Sequence, residues 1–255
     1  MLGNWFGSKW DWQIFCKSNL EDTRYPGCFG ADGDITYLQW MISAWGWTLS
    51  VALLGLLLAL VAGSLVGVAR TVPNRALRLF GEAWTELFRN VPLLVQLFLW
   101  YFVAPKAIPG LQSVPSLVLV VFALGFFTSA RVAEQVKAGI ETLSTGQRNA
   151  GLAMGLTLAQ TYRYVLLPVA FRIVIPPLTS EAMGIIKNSS VAFAVSISEL
   201  ITFAMQAQEE TSRGVEIYLA VTGLYFVSSI VVNQVAVLIE RLVRVPGVAG
   251  VEVGR

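Results

Sequence analysis

A few ionisable and polar side chains sit inside the apolar runs of this sequence, and any chemistry has to be sought among them. Arg131 and Glu134 lie in one run, and Glu181, Lys187, Asn188, Ser189 and Ser190 lie in another. A guanidinium forks onto a carboxylate through two parallel hydrogen bonds, so Arg131 suits recognition of a carboxylate-bearing ligand. Its plainer role is an ion pair with Glu134, three residues on along a helix. Lys187 and Glu181 offer a second pair, or else line a pathway together with Asn188, Ser189 and Ser190. Bond-making catalysis has few candidates. There is no His, so no Ser-His or Cys-His pairing, and the two cysteines, Cys16 and Cys28, complete no metal set.

A second constellation occupies residues 143–187, which are polar and rich in small residues. Ser144 with Gln147 is a capping-box pattern and predicts a helix start. Asn149, Ala150, Gly151, Ala153 and Gly155 follow, with the two glycines one helical turn apart, so one face of a helix over about 143–158 is nearly bare and suited to close contact with another protein. Leu167-Pro168 biases the chain out of the helical region and predicts a corner there.

The elements that hold these residues belong to a membrane protein. The chain is 55% hydrophobic and 13% charged, against about 25% charged in a soluble domain. A net charge of +2 without a basic run gives no reason to expect nucleic acid. Residues 35–69 carry no charge, and a crossing needs about 20 apolar residues. Spans are expected near 42–68, 85–103, 116–137, 172–203 (broken at Pro176-Pro177) and 217–239, with an outer loop at 206–214. The organisation is thus an N-terminal tail over 1–37, a membrane domain over 38–242 and a tail over 243–255. Arg70, Arg75, Arg78 and Arg89 follow the first span, and Arg241 and Arg244 follow the last. Short basic loops stay in the cytoplasm, which predicts an outer N-terminus and an inner C-terminus. The first 34 residues lack a basic region followed by an apolar core, so the tail is expected to remain on the protein. On the outer side Cys16 and Cys28 are either two free thiols or a disulfide contributing about 2–3 kcal/mol.

The spacing Asn149-Ala150-Gly151, three residues, Gly155, nine residues, then Val165-Leu166-Leu167-Pro168 resembles the cytoplasmic signature of ABC-importer permeases. In that family the pattern reads Glu-Ala-Ala, three residues, Gly, nine residues, Ile, any residue, Leu-Pro. Asn149, Gly151 and Val165 depart from it. The runs 88–98 (FRNVPLLVQLF), 130–137 (ARVAEQVK) and 187–190 (KNSS) are similar to its polar amino-acid branch. The combination of Arg131, in a position usually held by Tyr in related permeases, with the runs GQRNAGLAMG and PPLTSE looks most like a permease subunit of a glutamate/aspartate uptake system.

The resemblance implies an all-α fold of five transmembrane helices with a cytoplasmic coupling helix between the third and fourth. It also implies a bacterial inner-membrane location, a second, related but non-identical permease chain, a homodimeric cytoplasmic ATPase and a periplasmic amino-acid-binding protein. Gln147, Asn149, Ala150, Gly151, Gly155, Leu167 and Pro168 would form the coupling segment. The chain has no Gly-x-x-x-x-Gly-Lys-Ser/Thr loop, so no cofactor is expected on it, and ATP with magnesium would belong to the partner ATPase. The alternatives are a permease for other polar amino acids with Arg131 structural, or an ion-coupled secondary transporter.

Overall fold

The computed structural model describes residues 10–20, 23–30, 34–143 and 145–243. Strand pairing among them is limited to the isolated bridges Lys17 to Arg24 and Ser18 to Thr36. The helices in chain order are α1 (Tyr37–Ala69), α2 (Arg75–Asn90), α3 (Leu93–Ala107), α4 (Ser116–Glu141), α5 (Thr145–Ala153), α6 (Leu158–Val195), α7 (Leu200–Thr211) and α8 (Gly214–Val243). By length and composition α1, α4, α6 and α8 can each cross a bilayer, and the bent pair α2–α3 supplies a fifth candidate.

Three expectations are corrected. The second span is not one helix over 85–103. Pro92 forces Val91 into an extended conformation (φ −88°, ψ 129°), which ends α2 and separates it from α3. The fourth span does not break at Pro176-Pro177 or turn at Leu167-Pro168, because helix runs on through all three prolines. A spanning helix tolerates proline where local adjustments satisfy the freed backbone groups, and a π-helical turn at Tyr162–Leu166 lets the Leu167 N–H reach back to the Tyr162 carbonyl. This helix ends instead at Ser196, which takes up φ 57°. Residues 200–203 then open a separate helix, α7, whose first amides, on Ile201 and Thr202, donate to the Glu199 carboxylate. Most of the loop expected at 206–214 is therefore helical.

The chain divides into two compact units. In the first (Met1–Leu54, Leu93–Ala123, Ile186–Ser229), Ile14 and Phe15 of the N-terminal segment pack with Tyr37, Met41, Leu200, Phe203 and Ile217. A Cys16–Cys28 disulfide closes this segment, and the Asp11 N–H donates to the Glu216 carboxylate at 3.0 Å. In the second unit (Gly55–Pro92, Leu124–Ile185, Ile230–Arg255), Ala59, Val132, Val136, Ile140, Ala170 and Val174 form the core.

Glycines set how closely α1 and α4 approach. A Cβ on Gly63 would stand 2.6 Å from Val132 Cβ and 2.7 Å from the Ser129 carbonyl, and one on Gly67 would stand 2.8 Å from the Ala133 carbonyl. The Gly-x-x-x-Gly spacing lets the two backbones meet, as membrane helices require when lipid competes for every apolar contact. We expect Gly63→Val to destabilise the protein by about 1–3 kcal/mol through overpacking, read as a lower melting temperature in detergent. An unchanged melting temperature would contradict this contact.

Candidate functional site

The polar candidates separate into distinct groups. Phe127, Arg131 and Gln135 follow one another at four-residue intervals and share a face of α4. Arg131 Nε donates to Glu181 Oε2 on α6 at 2.7 Å, Gln135 Nε2 donates to Glu181 Oε1 at 3.1 Å, and the guanidinium carbon lies 4.4 Å from the centroid of the Phe127 ring. The Glu181 side chain is 12% exposed and that of Arg131 32% exposed, so the anion is nearly enclosed while its cation keeps an open side. Arg131 spends Nε on Glu181, which leaves the two terminal nitrogens for another acceptor. Gln135 Oε1 is buried without a hydrogen-bond partner among the described residues.

Glu134 does not belong to this group, and the expected Arg131–Glu134 pair is corrected. Although within i,i+3 reach of Arg131, Glu134 instead accepts from Arg70 Nη1 at 2.9 Å and lies 3.5 Å from Arg89 Nη1. Arg70 is nearly buried and also donates to Thr85 Oγ1. This cluster fastens the end of α1 and α2 to α4. The sequence marked Arg70 only as a loop charge and did not single out Gln135 at all; the four-residue ladder from Phe127 was the signal for Gln135.

The Lys187–Glu181 alternative is corrected as well: the ion pair of Glu181 among the described residues is with Arg131, and Gln135 donates to its other oxygen. Lys187 is exposed and forms no ion pair among the described residues. Ser189 Oγ donates to the Ile186 carbonyl and Ser190 Oγ to the Lys187 carbonyl, so both hydroxyls serve the backbone where α-helix passes into 3-10 helix beyond Asn188.

The helix expected over about 143–158 is shorter, Thr145–Ala153. α5 ends at Ala153 in a Schellman turn: the Gly155 N–H donates to the Leu152 carbonyl and the Leu156 N–H to the Gly151 carbonyl, with Gly155 at φ +81°. The corner therefore falls at Gly155, twelve residues before Leu167-Pro168. The expected Ser144–Gln147 capping box involves Ser144, which lies outside the described residues. A capping box is present at Thr157 and Gln160, where it starts α6. Gly151 is not part of an open face, since a Cβ there would stand 2.9 Å from Thr161 Cγ2. What α5 exposes is Thr145, Gly146, Gln147, Asn149, Ala150, Leu152 and Ala153, with Met154 beyond its end.

The model of the family described as "Binding-protein-dependent transport system inner membrane component" matches residues 55–245. The chain is 39% identical over 251 residues to the glutamate/aspartate import permease protein GltJ of Escherichia coli (strain K12), covering 94% of this chain and 98% of that one. It is 31% identical over 198 residues to the glutamine transport system permease protein GlnP of Escherichia coli (strain K12), covering 78% and 90%. Among solved structures, an amino acid ABC transporter with histidines superposes with a TM-score of 0.71 at 29% identity, covering 81% of this chain and 95% of that one. The methionine transporter MetNI, at 23% identity and a TM-score of 0.70 over 81% and 97%, shares the fold. A family match over most of the chain, and a relative of this identity along nearly its whole length, make this protein a member of the binding-protein-dependent transport inner-membrane family, an amino-acid ABC importer permease with a transport role and no catalytic one.

Proposed function

We propose that the chain is the permease of an importer for acidic and polar amino acids, glutamate and aspartate first, with glutamine and asparagine as further candidates. The observation that carries this reading is Arg131, a guanidinium with free terminal nitrogens on a half-open face, steadied by an enclosed Glu181. A carboxylate ligand matches that edge in charge and geometry. GltJ carries glutamate/aspartate import in its name and supports the assignment. The GlnP relative supports a second reading, in which amides are carried and Arg131 serves only to hold Glu181.

In this reading the protein sits in a bacterial inner membrane with its N-terminus outside, where a Cys16–Cys28 disulfide is chemically at home. It forms half of a pathway with a second permease chain. A soluble periplasmic protein delivers the amino acid, and ATP with magnesium is bound by a pair of cytoplasmic ATPase subunits. The exposed side of α5, with Asn149, Ala150 and Met154, is the surface offered to the ATPase. Coupling requires that contact to differ between the two ATPase states, because a partner shifts an equilibrium only by its differential affinity.

The test is radiolabelled glutamate uptake into proteoliposomes holding the assembled complex, with ATP supplied or withheld on the ATPase side. ATP-dependent uptake that excess aspartate blocks and arginine spares is the expected result. Failure to take up any amino acid, from a complex with a working ATPase, would overturn the reading.

A further inference from the structure

Helix α2 carries two lateral faces that the transport role does not use. Projected at 100° per residue, Arg75, Arg78, Glu82, Glu86 and Arg89 fall on one arc along the whole length of the helix. That arc is solvent-accessible, with the side chains of Arg78, Glu86 and Arg89 each about half exposed. A second arc holds Gly81 and Thr85, which are buried: Gly81 lies against the Arg70 side chain, and Thr85 Oγ1 accepts from that guanidinium. The third arc, on the other side of the charged one, holds Leu79, Phe80 and Leu87, all large, apolar and 57–64% exposed, while Trp84 and Phe88 turn to Phe126 of α4.

A helix with this pattern cannot cross hydrocarbon. Its charges recur every three or four residues and stay exposed, so at any depth in the bilayer core some of them would meet lipid tails, and each charged side chain at a helix centre costs about 2.5–3.5 kcal/mol on insertion scales. Nor does it belong in water with Leu79, Phe80 and Leu87 uncovered. Its place in the chain settles where it lies. It begins a few residues after the end of α1, the most apolar spanning helix, and therefore at a membrane surface. A helix with one charged and one apolar flank lies in the plane of the headgroup boundary.

We propose that α2 is a membrane-interface helix, with Leu79, Phe80 and Leu87 inserted among the acyl chains just below the headgroups of one leaflet and Arg75 and Arg78 at the level of its phosphates. The occupant of the exposed apolar arc is thus phospholipid. Within the second compact unit, the contacts of Gly81 and Thr85 with Arg70 fasten the helix to the end of α1.

The test uses nitroxide labels at introduced cysteines, which the native Cys16 and Cys28 do not compete for because they form a disulfide. Phe80→Cys and Leu87→Cys report the apolar arc, and Arg78→Cys and Glu82→Cys the charged arc, each in the assembled transporter in nanodiscs containing phosphatidylglycerol. Collision with oxygen, which concentrates in hydrocarbon, should dominate at 80 and 87, and collision with a water-soluble nickel chelate at 78 and 82. Three results would overturn the proposal: protection from both reagents at 80 and 87, meaning a protein covers the arc; nickel access at 80 and 87, meaning water does; or oxygen access at all four positions, meaning the helix is immersed. ATP-dependent uptake by the same labelled complexes keeps this outcome separate from the transport reading, which does not depend on where α2 lies.

Discussion

Replacing Arg131 by Ala is expected to lower glutamate uptake about ten- to a hundredfold, the value of a charged hydrogen bond of about 1.5–3 kcal/mol. Arg131→Lys should restore only part of it, because an ammonium offers a point charge where a guanidinium offers a fork. The single variant alone does not separate two causes of loss. Removing Arg131 leaves Glu181, 12% exposed, as a nearly enclosed unpaired carboxylate, a penalty of about 3–5 kcal/mol when a buried pair is broken. The double variant Arg131→Ala, Glu181→Ala removes both charges and relieves that penalty. If Arg131 meets the substrate, the double variant regains assembly and thermal stability but not glutamate uptake. Recovery of uptake along with stability would make the pair structural.

Gly155 gives the second large effect. Its φ of +81° lies where a Cβ strains the backbone, yet the space around that Cβ holds nothing within 4 Å. Gly155→Ala therefore suffers through the turn and not through collision, at about 1–2 kcal/mol, a factor of about 5–30 in the population of the correctly turned segment. Gly155→Asn, whose side chain tolerates the left-handed region, should retain most ATP-dependent uptake. A graded order of Gly, then Asn, then Ala would identify the turn as what positions α5 for coupling. Equal and complete loss in both variants, with the protein present in the membrane, would mean that a partner fills the space around Gly155. Full activity in both would remove the turn from the coupling mechanism.

Much of the fold was legible because membrane helices announce themselves by length and apolarity. The uncharged run 35–69 is α1 (Tyr37–Ala69), and the spans expected at 116–137 and 217–239 are α4 (Ser116–Glu141) and α8 (Gly214–Val243), each a few residues longer. Proline was the less reliable sign. Pro92 does break a helix, whereas Pro168, Pro176 and Pro177 do not. The difference lies in what the surrounding helix does with the carbonyl each proline leaves unpaired, and no local pattern records that. α7 was missed because its starting signal is a glutamate, Glu199, rather than the shorter side chains usually found at a helix start.

The sequence by itself determined the class of the protein, because long uncharged apolar runs are what a bilayer core accepts as helices, and it picked out Arg131 and Glu181, because charge in such a helix needs a reason. Which charges meet was decided by tertiary structure alone. Neighbours along a helix are four residues apart, but Arg131 and Glu181 are fifty apart, and Glu134 finds Arg70 sixty-four residues away. Close approach of α1 and α4 through Gly63 and Gly67 is part of what brings α4 into its place. Gly151 and Gly155 show the same division. The sequence shows two small residues one turn apart, and only the folded chain shows that one is packed against Thr161 while the other turns the backbone. Small side chains record that something must come close; what comes close is a property of the packing.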